Sequence, residues 1–73
     1  MSKFIIRQAF AEAMDLQKRN QFDDAKEIYK KILKTDSLEP NANHLISLIY
    51  MAERDFSQAK EHIEKAILKA PEQ

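Results

Sequence analysis

The chain repeats itself at an interval of 34 residues (22 to 56), and this period constrains its fold more than any other feature. Shifting the sequence by that interval places five residues on identical partners, namely Phe22 on Phe56, Ala25 on Ala59, Lys26 on Lys60, Glu27 on Glu61 and Lys31 on Lys65. A period of this length is typical of arrays in which each repeat is one supersecondary unit stacked on its neighbour. The 73 residues therefore have room for two such units.

The spacing of apolar residues predicts that each unit is a pair of helices. Between positions 23 and 35 the apolar residues follow the i, i+3, i+4, i+7, i+8 pattern of one buried helix face, and a similar pattern recurs between 57 and 69. The segment 2–18 has a broad apolar stripe, and 41–53 is apolar nearly all round, so we expect it to be covered on several sides. We predict an all-α fold of four antiparallel helices.

Polar breaks separate the four segments and suggest where each helix begins. We predict Asp23 and Ser57 as N-caps, because their side chains can accept hydrogen bonds from free amides of the first helical turn. Pro40 suits the first turn of the third helix, because the N–H that proline lacks would have no hydrogen-bond partner within the helix there. Pro71 is expected to end the last helix.

The repeat resembles the tetratricopeptide repeat, a 34-residue helix–turn–helix unit with the pattern W-x₂-L-G-x₂-Y…A-x₃-F…P. The positions that carry the resemblance in the second unit are Asn43, Ile46, Ser47, Tyr50, Ala59, Ile63 and Pro71. Those in the first unit are Ala9, Glu12, Ala13, Leu16, Ala25, Tyr29 and Ser37. The resemblance implies a single domain over 1–73, with repeats at about 6–39 and 40–73, forming a fragment of a right-handed superhelical α-solenoid. Its small residues are expected to let paired helices approach closely.

The chain departs from the family pattern at the turn inside each repeat, where the family often has glycine. This sequence contains no glycine and has Asn20 and Arg54 at these positions. Asn tolerates the left-handed backbone conformation, whereas Arg in that conformation costs about 1 kcal/mol or more. We therefore expect strain or an altered turn at Arg54. Glu12 stands where an apolar residue is usual, which predicts a less tightly packed first helix.

Composition excludes several kinds of site. Without glycine the chain has no phosphate-cradling loop or dinucleotide fingerprint, and without cysteine it has no disulfide and no thiolate metal site. Twelve acidic residues balance twelve basic ones, so no long-range attraction favours nucleic acid or a membrane. His62 and nearby carboxylates do not form a convincing metal ligand set, and His44 has no nucleophile or acid placed beside it. We predict no catalytic residue, metal or cofactor. Because the sequence shows no targeting segment, we predict a cytoplasmic location.

The resemblance implies a ligand groove lined by the first helix of each repeat. Carried over position by position, the groove residues are Arg7, Phe10, Met14, Gln17 and Lys18, followed by Asn41, His44, Leu48, Met51 and Ala52. This surface is apolar and rich in methionine, so it suits a partner helix or an apolar peptide. Some family members grip a terminal carboxylate with Lys and Asn, but Phe10, Met14 and Leu45 stand at those positions here, which disfavours that mode.

Three other interpretations remain open from the sequence. In a longer superhelix the groove residues would be part of the core. Ile67 and Ala70 would face a missing neighbour at the end of the last helix, so self-association is an alternative function. A third hypothesis, from a weak similarity, is that the chain is an N-terminal accessory segment of a larger enzyme such as a glycosyltransferase. Lys26, Lys30 and Lys34 form a basic row that we interpret as a solvated helix face.

Overall fold

The computed structural model describes residues 2–69 and confirms the all-α prediction. The helices are α1 (Lys3–Lys18), α2 (Phe22–Thr35), α3 (Pro40–Ala52) and α4 (Phe56–Lys69). Each helix packs against the next along the chain, so α1–α2 and α3–α4 are two helix–turn–helix units joined through the α2–α3 contact. The predicted helix end at Pro71 and the predicted exposure of Ala70 lie outside the described residues.

The two turns inside the units share one backbone geometry. Asn20 and Arg54 have positive φ, 59° and 63°. In the first turn the amide that follows Asn20 donates to the carbonyl of Leu16 at 2.9 Å, and in the second the amide that follows Arg54 donates to Tyr50 at 2.8 Å. This six-to-one hydrogen bond around a left-handed residue is the Schellman ending of a helix. The strained conformation expected at Arg54 is therefore present.

The predicted N-caps Asp23 and Ser57 are wrong, because α2 and α4 begin earlier, at Phe22 and Phe56. Only one residue separates each left-handed turn position from the next helix, so the turn decides where the helix starts. At α4 that residue is Asp55, whose carboxylate accepts a hydrogen bond from the amide of residue 58 at 3.3 Å. Asp23 lies instead in the first turn of α2, where its charge suits the helix dipole.

The prediction for Pro40 is confirmed, since this proline lies in the first turn of α3. Glu39 precedes it as the N-cap, and its carboxylate accepts a hydrogen bond from the amide of Ala42 at 2.6 Å. A charged acceptor at this end of the helix satisfies a free amide and interacts favourably with the dipole. The junction between the two units is thus a defined helix start.

Small residues lie where paired helices approach each other. Ala13, Ala25, Ser47 and Ala59 are all buried, as the resemblance implied. The larger side chains that complete the core are Tyr29, Ile32, Ile46, Ile49 and Tyr50. Close approach of the helices leaves little room for side chains at the crossing, and the neighbouring large residues fill the space on either side.

The two units differ in their outer faces. Tyr29 on α2 is fully buried, but Ile63, its equivalent on α4, is 37% exposed. The reason is that α3 packs over α2, whereas α4 is the last helix described. On α1, Glu12 and Asp15 are exposed at the positions where α3 buries Ile46 and Ile49. The polar residue at Glu12 is therefore compatible with a helix whose outer face meets water.

Candidate functional site

A cavity of about 340 Å³ lies between α1 and α3. Its lining residues are Phe10, Met14, Asn41, His44 and Leu45. We call this cavity the α1–α3 groove. Four of the five lining residues belong to the set that the family resemblance implied, and they come from the first helix of each unit. The structure therefore brings together side chains that are about 30 positions apart in sequence.

The floor of the groove is apolar and supported by the core. The ring of Phe10 packs against Tyr29 at a tilt of 53°, with 6.2 Å between ring centroids. Leu45 is also partly buried against the core, while Met14 remains exposed. Asn41 and His44 are exposed at the polar margin. Because no charged side chain lines this cavity, an apolar group can enter it without displacing water from a charge.

The remaining residues predicted for the groove do not line its cavity. Leu48 and Met51 are exposed on α3, and they follow His44 at successive helical turns. Arg7 is exposed on α1, three residues before Phe10. Lys18 and Ala52, the last residues of α1 and α3, are also exposed. The residues on α3 extend the apolar surface beyond the cavity.

Gln17 connects three helices through hydrogen bonds. The hydroxyl of Tyr29 on α2 donates to Oε1 of Gln17 at 2.8 Å, and Nε2 of Gln17 donates to the backbone carbonyl of Leu45 on α3 at 3.4 Å. Burial raises the pKa of Tyr29 to about 12, so the hydroxyl remains a donor at neutral pH. Both ends of the amide are occupied, and Gln17 therefore holds the groove wall in place.

Leu45 was not among the residues that the resemblance implied for the groove. The signal that points to it is the apolar character of α3 on nearly all sides, which includes Leu45 together with the buried residues of this helix. Periodicity alone does not separate a residue that faces a groove from one that faces the core, because both are apolar. The relative position of α1 makes that distinction.

Lys26 departs from the solvated face expected for it. Its ammonium lies 2.6 Å from Oε1 of Glu53, at the end of α3, and 5.0 Å from the centroid of the Tyr50 ring. The side chain of Lys26 is only 16% exposed. The hydrogen bond to Glu53 is the largest cause that raises the pKa of Lys26. This ion pair joins the first helical unit to the second.

His62 contacts neighbouring side chains. Its Nδ1 lies 2.8 Å from Oδ1 of Asn43, and its ring stacks on Tyr50 with 5.5 Å between centroids. Among residues 2–69, no group of three His, Cys, Asp or Glu side chains is placed to hold a metal ion. Within the same range no helix is both long and apolar enough to cross a membrane.

The fold and the groove define a helical-repeat protein. The model of the tetratricopeptide repeat family matches residues 40–72, which include all of α3 and α4. This segment, somewhat less than half of the chain, is similar to a tetratricopeptide repeat, and α1 and α2 form a second helix pair with the same turn. Comparison with curated proteins found no match, and comparison with solved structures found none either. Tetratricopeptide repeats are typically non-catalytic modules for protein–protein interaction.

Proposed function

We propose that this chain is a non-catalytic interaction module that binds a partner helix or peptide with apolar side chains in the α1–α3 groove. The observation that carries the proposal is the cavity itself, in which Phe10, Met14 and Leu45 form an apolar wall without a charged lining residue. A ligand side chain that enters such a cavity removes apolar surface from water on both partners.

The surroundings of the cavity support a ligand longer than one side chain. Leu48 and Met51 continue the apolar surface along α3, and methionine adapts to ligands of different shape because its side chain is unbranched and flexible. The side chains of Asn41 and His44 are available at the margin for hydrogen bonds with a ligand backbone. Burial of one Leu- or Met-sized side chain contributes about 1.5–3 kcal/mol.

A peptide selection followed by affinity measurement tests this function. We expect phage-displayed peptides selected on the wild-type chain to share apolar anchor residues, and a fluorescently labelled selected peptide to bind measurably by anisotropy. The double variant Met14→Glu, Leu48→Glu should weaken the binding of this peptide by about 100-fold or more, because carboxylates would then lie against its apolar anchors. Helical circular dichroism should be retained, since both side chains are exposed in the free protein.

The matched control is Ile67→Glu, Leu68→Glu, which adds the same charge to exposed apolar positions on α4, outside the groove. It should leave peptide affinity unchanged. Equal affinity of the wild type and the groove variant would refute the proposal, as would selection of charged peptides without apolar anchors.

A second candidate function is self-association through α4, which the exposed apolar face of this helix favours. Ile67 and Leu68 are 68% and 75% exposed. The repeat period aligns Ile67 with Leu33, which packs against the core on α2. On the corresponding outer surface of α1 lie Glu12 and Asp15, whose carboxylates would be buried if α1 of one copy stacked on α4 of another, so this arrangement is disfavoured. We therefore propose that α4 packs against α4 of a second copy.

Sedimentation velocity distinguishes this candidate from the first. We expect a dimer at high micromolar concentration that Ile67→Glu dissociates and Met14→Glu leaves intact. A monomer over the whole concentration range would exclude self-association and would leave the groove proposal to its own test.

A further inference from the structure

A second cavity, of about 380 Å³, opens between α2 and α4 and shares no lining residue with the groove. We call it the α2–α4 cleft. Its charged lining residues are Lys30 and Lys34 from α2 and Lys65 from α4, and no carboxylate lines it. Two of the three lysines of the basic row thus face a concave site together with a lysine from the other helical unit.

The back of the cleft is a hydrogen-bonded framework around Asn43. This side chain is fully buried, and its Nδ2 donates to the carbonyls of Ser37 at 3.0 Å and Glu39 at 3.1 Å. The remaining atom, Oδ1, can only accept, so Nδ1 of His62 at 2.8 Å is the donor. Stacking on Tyr50 orients the imidazole ring further. His62 is therefore held in one tautomer, with Nε2 outside this network.

Three lysines and no carboxylate line the cleft, although the chain as a whole has no net charge. Burial is the main cause that lowers the pKa of His62, and the charges of Lys65 and Lys30 lower it further, while Glu61 opposes them. Glu61 also lies 3.6 Å from the ammonium of Lys65, one turn away on α4. No ion pair within 4.0 Å joins Lys30 or Lys34 to a carboxylate among the described residues.

We propose that the α2–α4 cleft binds a phosphate group, either free inorganic phosphate or a phosphomonoester. Lys30, Lys34 and Lys65 supply three compact positive charges from two helices, and lysine is a common phosphate ligand. A phosphate dianion balances more of this charge than a single carboxylate does. The side-chain amide of Gln58, which also lines the cleft, is an additional donor. The site uses side chains alone, which is consistent with a chain that has no glycine loop.

Titration of isotope-labelled protein, followed by nuclear magnetic resonance at constant ionic strength, tests the proposal. The probes are inorganic phosphate, O-phosphoserine and, as a singly charged comparison, acetate. We expect both phosphates to give saturable shifts in the ring signals of His62 and to raise its pKa, because a nearby anion stabilises the imidazolium. Acetate should bind more weakly. Tighter binding of phosphoserine would indicate a phosphorylated partner, and tighter binding of inorganic phosphate would indicate the free ion.

Charge-matched variants separate a site from a generally basic surface. Lys30→Gln and Lys65→Gln should each weaken phosphate binding about tenfold. Lys31→Gln makes the same change on α2, at a residue that does not line the cleft, and should leave the affinity unchanged. Circular dichroism checks that each variant remains helical. Shifts that do not saturate, equal binding of acetate, or equal weakening by Lys31→Gln would overturn the proposal.

Discussion

Replacement of Arg54 by glycine should stabilise the fold. The left-handed conformation at Arg54, with φ of 63°, costs a residue that carries a Cβ about 1–2 kcal/mol. Glycine removes this cost, but its greater conformational freedom in the unfolded chain lowers the free energy of unfolding by about 0.5–1 kcal/mol. The difference predicts a gain of about 0.5–1 kcal/mol in the free energy of unfolding. In a domain of this size the melting temperature should rise by about 2–8 °C.

Three further variants identify the cause of the gain. Arg54→Ala removes the guanidinium but keeps the Cβ, so it should stabilise much less than Arg54→Gly. Asn20→Gly should also gain less, because asparagine enters the left-handed region more readily than arginine does. Ala52→Gly places glycine in the helix just before the turn and should destabilise by about 0.5–1 kcal/mol.

Thermal and urea unfolding, both followed by circular dichroism, measure these differences. An increased urea midpoint with an unchanged slope would show that stability changed while the surface exposed on unfolding did not. If Arg54→Ala stabilises as much as Arg54→Gly, the gain comes from loss of the side chain and the backbone argument fails. A destabilised Arg54→Gly would refute it directly.

Two other predictions concern the core and the junction between the units. Stability should fall between pH 10 and about 12, by roughly 2 kcal/mol, because Tyr29 keeps its proton to about pH 12 when folded but loses it near pH 10 when unfolded. When urea unfolding is measured across this pH range, the stability of Tyr29→Phe should depend less on pH than that of the wild type. An equal pH dependence would contradict the assignment of the effect to Tyr29. Glu53→Gln should destabilise by about 0.5–1 kcal/mol, because it removes the charge paired with Lys26, whose side chain is only 16% exposed. Asp23→Asn, at an almost fully exposed partner 3.8 Å from the same ammonium, should cost less in the same assay, about 0.3 kcal/mol from its interaction with the dipole of α2.

Much of the fold could be predicted because the signals that specify it are local. The helical spacing of apolar residues depends only on neighbours within two turns, and it correctly predicted four helices. The alignment at the repeat period also placed Asn20 and Arg54 at the turns, where both adopt the left-handed conformation. The N-caps were wrong because Asp23 and Ser57 have suitable side chains, but the preceding turn starts each helix earlier.

The surfaces that could bind ligands were only partly predictable. Phe10 and His44 were expected to share a groove and do line one cavity, whereas Leu45 could not be distinguished from a core residue. The proximity of Lys30 and Lys65 to a common cleft has no signal in either helix alone. It depends on how α2 and α4 pack against α3, and therefore on contacts between distant parts of the chain.

The sequence by itself determined the type of each element, the repeat period and the small residues at the helix crossings, because these follow from backbone geometry and local burial. Only the tertiary structure decided which apolar residues remain exposed and which charges meet. Tyr29 and Ile63 occupy equivalent repeat positions, yet one is fully buried and the other is 37% exposed. Their difference arises from the helix that packs on α2 and has no counterpart on α4 among the described residues.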